Sequence, residues 1–548
     1  MSQKPDRKKR TPAGIKTSMP DSALVIRLAV ASVIFAVALI INMPDFLGII
    51  LLVLSAAVAG YDVVAKIPSC VEAGDYFATP VVVSLIAALS FFVGFSVEGA
   101  SLLILYQIGL LLIAYAEERT RKSAVELLSY QDSALAEKMD KLIRTPEAMA
   151  TYIESTMRSS AGLILKFAMV FAVIYAVALP IFTSYSYSIS IHRALTIILV
   201  ATPMSVGVSI PVAAAVAMCY SAHQGVVFNT ASSLETLADT KTAVFDKNGI
   251  FSEDCPKVLA MKSELLDSNT FMNFVAHSVY YSDQPIAKAI AAVCDVDYRL
   301  DLISDFRDIP GYGVQLSIDN MKVVFATKEL FDSRGVELPK EKGTSAGKTF
   351  YMMVAGRYVG KVVISSEVNT QTANLVPEMK SVGISRCVLL AEENAESIQQ
   401  LAETMGFSEM YGGCNADKKL LLTKEIAKKA KSAVMFVYAN GVGAHSAAAV
   451  DFRVSKKSKY ADALVDPSCI ENIPFAKMVS VRMREIAVEN AVFTFLVKAV
   501  LIFLSIIGYC NLWFAIFIDM IAAVAAILNT IRVTNESLIN TLKYKIGK

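Results

Sequence analysis

Thr242-Ala243-Val244-Phe245-Asp246-Lys247-Asn248-Gly249-Ile250-Phe251-Ser252 is the stretch on which the reading of the chain turns. A short apolar run ends in one carboxylate, and a glycine-containing turn follows. The pattern predicts a strand that presents Asp246 at its carboxyl end, where ligands bind in open α/β sheets. Outward from it, Val388–Leu390 and Ala433–Val437 are apolar runs of the same kind, each followed by a turn. Helical patterns at Asn394–Met405 and Asp417–Lys429 lie between them. That alternation predicts a parallel, doubly wound sheet. The segment 256–360 interrupts it with β-rich pieces such as Val314–Ile318 and Lys322–Phe325, and is expected to be an inserted domain.

The rest of the chain is dominated by its apolar content. Of 548 residues 55% are hydrophobic, and the mean hydropathy is +0.50. Such a balance implies several membrane spans, so the lipid bilayer is an expected partner. Apolar runs at 24–42 and 44–60, 79–95 and 97–116, 161–180 and 191–219, and 486–508 and 512–531 predict about eight crossings in pairs. Lys8-Lys9-Arg10 before the first run, and Arg532, Lys543, Lys545 and Lys548 after the last, predict a multi-pass protein of the cell membrane with both termini cytoplasmic. The first run is too long for a secretory signal and leads into a second span. A net charge of +2 gives no reason to expect a nucleic-acid partner. Eight scattered cysteines, with no Cys-x-x-Cys pair, argue against a disulfide framework or a structural zinc module.

Several ordered motifs make the chain similar to the heavy-metal P-type ATPases of the zinc/cadmium/lead branch, within the haloacid-dehalogenase superfamily. The Asp246 loop resembles the family's Asp-Lys-Thr-Gly-Thr, with Asn248 and Ile250 in place of the threonines. Upstream, Gly60 to Lys66 has a counterpart in an amphipathic element, and Gly225 to Thr230 with Leu234-Glu235 resembles the family's lead-in. Downstream, Asp283-Gln284-Pro285 resembles the His-Pro motif, Gly311-Tyr312-Gly313 the Gly-x-Gly turn, and Asn415-Ala416-Asp417-Lys418 the Pro-x-Asp-Lys segment. Asn490, Lys498, Leu512-Trp513 and Asp519 through Asn529 match the last two spans. The resemblance reaches from Gly60 to Val533.

It implies a membrane α-helical bundle of about eight spans and a cytoplasmic α/β haloacid-dehalogenase-like phosphorylation domain carrying an inserted α+β nucleotide-domain-like module. The expected order is a basic N-terminus (1–23), helices 1–4 (24–116), a short helical segment (117–160), helices 5–6 (161–219), the phosphorylation domain (220–255 and 361–470) around the module (256–360), helices 7–8 with their lead-in (471–531), and a basic tail (532–548). It further implies ATP and Mg²⁺ as cofactors and a divalent transition-metal cation as cargo. Asp246 would be the nucleophile with Lys418 beside it, Gln284, Gly311 and Gly313 would meet the nucleotide, and Met204, Lys498 and Asp519 would handle the metal.

The departures from the family pattern fall on chemistry. Mg²⁺ takes oxygen ligands, carboxylates above all, and the loop Tyr438-Ala439-Asn440-Gly441-Val442-Gly443-Ala444-His445 contains none. Ala391-Glu392-Glu393 replaces Thr-Gly-Asp, Gln284 replaces the histidine, and Thr202-Pro203-Met204 replaces Cys-Pro-Cys. The stretch 117–160 is helical in pattern and lacks the Thr-Gly-Glu of an actuator domain. Bland readings stand beside the functional ones: Lys418 as a solvated surface lysine, Gly311 and Gly313 as a plain turn, Met204 as packing beside a kink. Lys498 and Asp519, deep in spans, are expected to pair. Two functions follow from this. One is a degenerate relative acting in a regulatory, sensing or partner role, with a membrane protein as partner. The alternative is an active ATP-driven Zn/Cd-like transporter forming an aspartyl-phosphate at Asp246.

Overall fold

The computed structural model describes residues 22–41, 44–203, 205, 207–251, 257–282, 285–294, 296–309, 312–336, 338, 348–365, 372–439, 448–455 and 461–535. In chain order the helices are α1 (Ser22–Ile40), α2 (Asp45–Ala65), α3 (Ile67–Glu72), α4 (Thr79–Val93), α5 (Ser96–Ser129), α6 (Ser133–Ile143), α7 (Pro146–Met149), α8 (Tyr152–Phe182), α9 (Tyr187–Ala201), α10 (Ser209–His223), α11 (Ala231–Ala238), α12 (Ser268–Val279), α13 (Pro285–Ala291), α14 (Lys328–Ser333), α15 (Leu375–Ser381), α16 (Ala395–Met405), α17 (Ala416–Lys429), α18 (Ile473–Ile507) and α19 (Leu512–Asn529). The strands are β1 (Val226–Phe228), β2 (Thr240–Asp246), β3 (Lys257–Ser263), β4 (Ile303–Ile309), β5 (Gly313–Ile318), β6 (Met321–Thr327), β7 (Lys348–Val354), β8 (Arg357–Ser365), β9 (Arg386–Leu390), β10 (Glu409–Tyr411), β11 (Ala433–Tyr438), β12 (Val450–Val454) and β13 (Ala463–Val465). Two compact units result. One joins Met1–Gln224, Phe228–Ala238 and Met478–Asn540, and the other joins Gly225–Val227, Asp239–Lys477 and Thr541–Lys548.

The first unit is a helical bundle. Among the described residues six helices are long and apolar enough to cross a membrane, and α4, α9 and α10 are shorter apolar helices. The single span expected over 191–219 is in fact two helices, α9 and α10, parted after Ala201. Pro203 is the cause: it has no N–H to donate, and its ring clashes with the preceding turn. Small residues let neighbours approach closely in such bundles. A Cβ on Gly99 of α5 would lie 2.9 Å from the Ala87 carbonyl of α4. Beyond its apolar part α5 continues as a charged helix, reaching about 51 Å at 1.5 Å per residue. The amphipathic α6 folds back on it. Arg144 grips Glu118 through two hydrogen bonds of 3.0 and 2.9 Å, and Asp132 caps α6 by accepting from the Ala134 and Leu135 N–H groups. Across 117–160 the chain runs through the end of α5, α6, α7 and the start of α8.

The second unit contains two sheets. Seven strands in the order β1-β13-β12-β11-β2-β9-β10 form the larger one, and the pairs β11–β2, β2–β9, β11–β12, β12–β13 and β9–β10 are all parallel. Val244, Val388, Val434 and Phe436 fill one of its faces. The smaller sheet has six antiparallel strands in the order β3-β8-β7-β6-β5-β4, covered by α12 and α13 over a core that includes Val275, Ile290, Val323 and Met352. It interrupts the larger sheet between β2 and β9, as the change of pattern predicts, and its last strand runs on to Ser365.

Candidate functional site

The geometry around Asp246 follows from strand order. β2 lies between β11 and β9, so the chain leaves it in one direction for β9 and returns on its other side as β11. The carboxyl end of β2 therefore opens into the crevice at a topological switch point. Asp246 is the last residue of β2, opposite Leu390 of β9, and the Lys247 N–H donates to the Leu390 carbonyl at 2.8 Å. Ile250 and Phe251 turn inward and are fully buried, where Phe251 packs edge-on against Phe245 and Phe407. Ile250, in place of a threonine, thus serves the core rather than the crevice.

Asp246 is itself buried. Both of its carboxylate oxygens accept from the Lys419 ammonium, at 3.0 and 2.8 Å, and Oδ1 also accepts from the Asn248 N–H at 3.3 Å. Lys419 donates at 3.2 Å to Glu392 as well. Beside this triad Lys247 is paired with Glu393. Burial pushes the Asp246 carboxyl up, against the pull of Lys419. Burial works to lower Lys419, but Asp246 and Glu392 outweigh it and hold the ammonium above the ordinary lysine value. The direction that governs the pair is the second one. In this cluster two lysines serve three carboxylates: Lys419 is shared by Asp246 and Glu392, and Lys247 pairs with Glu393.

The lysine at Asp246 is Lys419, which corrects the assignment of that place to Lys418. Asn415 caps α17 by accepting from the Lys418 N–H at 2.9 Å, and the Lys418 side chain is exposed and donates to the Gly413 carbonyl. The buried stripe of α17 is Lys419, Thr423 and Ile426. That i, i+4, i+7 spacing was the available signal for the inward-facing lysine. Gly313 opens β5 with a φ of +138°, and a Cβ there would lie 2.2 Å from the Phe325 carbonyl. Strand pairing alone accounts for this glycine. Gln284 and Gly311 lie outside the described residues, as do residues 440–447 and Met204.

The bundle contains the second cluster. Lys498 of α18 pairs with Asp519 of α19 at 2.8 Å, both side chains buried. Its ammonium also donates to the carbonyls of Val200 and Thr202, at 2.9 Å each. These carbonyls lie where α9 ends before Pro203, so a lysine replaces the helix donors that the break removes. Ser205 donates to Asp519 Oδ1 at 2.6 Å. Asn490 joins three helices below, donating to Ser209 at 3.2 Å and to the Ala526 carbonyl at 2.8 Å, and accepting from Asn529 at 2.8 Å. Ser205 and the two carbonyls carried no signal in the sequence. A hydroxyl or a peptide carbonyl acquires a role only once the helix break aims it inward. Near the other end of α9, His192 pairs with Glu98 at 3.0 Å and stacks on Phe95 with centroids 4.1 Å apart.

No family model matches the chain. It is 24% identical over 416 residues to the cadmium, zinc and cobalt-transporting ATPase of Bacillus subtilis, covering 74% of this chain and 59% of that one. It is 23% identical over 352 residues to the zinc-transporting ATPase of a Synechocystis species, covering 63% and 48%. Its fold matches the crystal structure of a zinc-transporting PIB-type ATPase in the E2.Pi state at a TM-score of 0.58 and 17% identity, over 94% of this chain and 100% of that one. The chain is similar in sequence to heavy-metal P-type ATPases over about three quarters of its length, and it shares the fold of a zinc-transporting one. It is a multi-pass membrane protein, and it spans less than two thirds of the length of these two curated relatives.

The resemblance implies ATP and Mg²⁺, and the described residues can be tested against that pair. Mg²⁺ demands near-octahedral oxygen ligation. The Asp246 oxygens are engaged by the Lys419 ammonium, which Glu392 shares, and Glu393 by that of Lys247. Glu392 and Glu393 would meet an incoming phosphate with like charge. The described residues therefore do not fit a magnesium-bound phosphoryl group on Asp246. Among them no cluster of three or more His, Cys, Asp or Glu side chains forms a metal site.

Proposed function

We propose that the chain is a membrane-embedded relative of metal-transporting P-type ATPases that has given up the ATP-driven cycle. It keeps the scaffold for a regulatory, sensing or partner role beside another membrane protein. The observation that carries this reading is the clasp of Lys419 on both oxygens of Asp246, tied to Glu392. Phosphoryl transfer is almost entirely positioning and charge neutralisation. An aspartate acts as nucleophile through one of its oxygens, and both oxygens of Asp246 accept from Lys419. Losing even about 3 kcal/mol of transition-state stabilisation lowers a rate more than a hundredfold. The helical 117–160 supports the same reading, because it carries no Thr-Gly-Glu with which to hydrolyse a phosphoenzyme. We place the protein in the cell membrane with both termini in the cytoplasm.

The alternative, an ATP-driven Zn/Cd-like transporter, draws on Asp246 at the switch point and on the buried Lys498–Asp519 pair. The two readings part in one experiment. Full-length protein is incubated with radiolabelled ATP and Mg²⁺, wild type beside Asp246→Asn. We expect no acid-stable, hydroxylamine-sensitive label on either protein. Label on the wild type alone would overturn the lost cycle.

A further inference from the structure

Helices α8 and α18 touch near their C-terminal ends, where the Tyr175 hydroxyl donates to the Ile506 carbonyl at 2.5 Å. On the N-terminal side of that contact they part. α8 packs along α9 instead, and a cavity of about 380 Å³ occupies the gap. Its walls are Ala161 and Ile164 of α8, Phe495, Ala499 and Ile502 of α18, and Ala201 at the end of α9. We propose that this cavity is a binding site for one acyl chain of a bilayer phospholipid.

Three observations select that occupant. The first is the chemistry of the lining. Two polar residues border the cavity, and both are engaged elsewhere. The Ser160 hydroxyl donates to the Thr156 carbonyl at 2.9 Å, and the Lys498 ammonium is held by Asp519 and the Val200 and Thr202 carbonyls. No donor of either group is left for an occupant, and an apolar cavity of this kind stays dry. The second is size. The volume falls within the roughly 300–1,000 Å³ of small-molecule sites, whereas a partner helix, about 10–12 Å across, is too wide for it. The third is access. Leu163 and Phe167 of α8 and Leu496 and Phe503 of α18 are exposed beside the lining. On membrane helices such side chains meet lipid tails, which are as apolar as they are.

The sequence accounts for the gap. Phe495, Ala499 and Ile502 recur at i, i+4 and i+7 and so share one face of α18. Three alanines, Ala161, Ala201 and Ala499, converge on the space that larger side chains would fill. Left empty, it would forfeit dispersion contacts along every wall. Ala201 is the last residue of α9, so an acyl chain seated here braces the helix break while it props α8 beside α18.

Photolabelling of the full chain tests the proposal. The protein is placed in nanodiscs of phosphatidylcholine that carries a diazirine within one acyl chain, irradiated, and its labelled positions are mapped by mass spectrometry. We expect label on the cavity walls Ala161, Phe495 and Ala499 in excess of that on Phe167 and Leu496, which the surrounding lipid reaches in any case. Ala499→Phe fills the gap and should lose the wall label while Phe167 and Leu496 keep theirs. If that variant does not remain monodisperse, Ile164→Trp fills the gap from the facing helix with the same expected loss. Equal labelling along both helices, or wall label that survives the filling variant, overturns the proposal. A second arm supplies a free fatty acid with the same diazirine in unlabelled nanodiscs. Wall label from the free acid and none from the phospholipid would also overturn it, by assigning the cavity to a different ligand. Phosphorylation of Asp246 would overturn only the lost cycle, because it reports on the other unit.

Discussion

Replacing Lys419 by methionine strips Asp246 of its only side-chain cation among the described contacts and leaves a buried carboxylate behind. Breaking a buried pair on one side costs about 3–5 kcal/mol. The variant should therefore show a clearly lowered thermal midpoint in detergent, which the double variant with Asp246→Asn recovers in large part. Lys418→Met, one residue away and exposed, should stay within about 0.5 kcal/mol of wild type. Equal effects of the two lysines would contradict the geometry. The pH dependence has a definite sign. Lys419 is held above the ordinary lysine value, so the stability its clasp contributes is full at neutral pH. It is lost as the pH rises from the ordinary lysine value through that raised value.

At the scale of elements, α8 begins on a carboxylate from another helix. Glu235 of α11 accepts from the Tyr152 and Ile153 N–H groups at 2.6 and 2.8 Å, and Thr151 caps Glu154 at 3.2 Å. A buried carboxylate at a helix N-terminus satisfies orphan donors and complements the helix dipole. Ser480 of α18 donates to the Leu234 carbonyl, so α11 is held between two long helices. Glu235→Ala should cost about 2 kcal/mol or more through the donors it abandons. Hydrogen–deuterium exchange should then accelerate in the first turn of α8 while the smaller sheet keeps its protection; unchanged exchange at Tyr152 and Ile153 would refute the cap. The core elements of the large sheet were legible in advance, because apolar runs before turns report strands directly, and Asp246 was legible with them. Glu235 was legible only as a family motif, since nothing local announces that its partner lies over 80 residues upstream. Lys419 was hidden by the adjacent Lys418, which the motif favoured and the helix phase did not. The α9–α10 break was written in Pro203, but a continuous apolar run conceals where a helix ends.

Across the whole molecule the antiparallel pairs α1–α2, α4–α5, α8–α9 and α18–α19 are joined by short connections. In intact cells, an impermeant maleimide should label a cysteine introduced at Ser184, in the α8–α9 turn. Native Cys469, which leads into α18, should react only after permeabilisation. Labelling of Cys469 in intact cells would put the large sheets outside and reverse the orientation. The position of the last pair also bears on how the chain is made. Lys498 and Asp519 enter the bilayer on the same hairpin, 21 positions apart in sequence, long after α9 has been synthesised. Inserted singly, each charge would cost about 2.5–3.5 kcal/mol at a helix centre. Folded against each other inside one hairpin, they are presented to the translocation machinery as a nearly neutral couple. The ion pair is thus a passport for biogenesis as well as a feature of the finished bundle, and the carbonyls at the broken helix receive it already assembled.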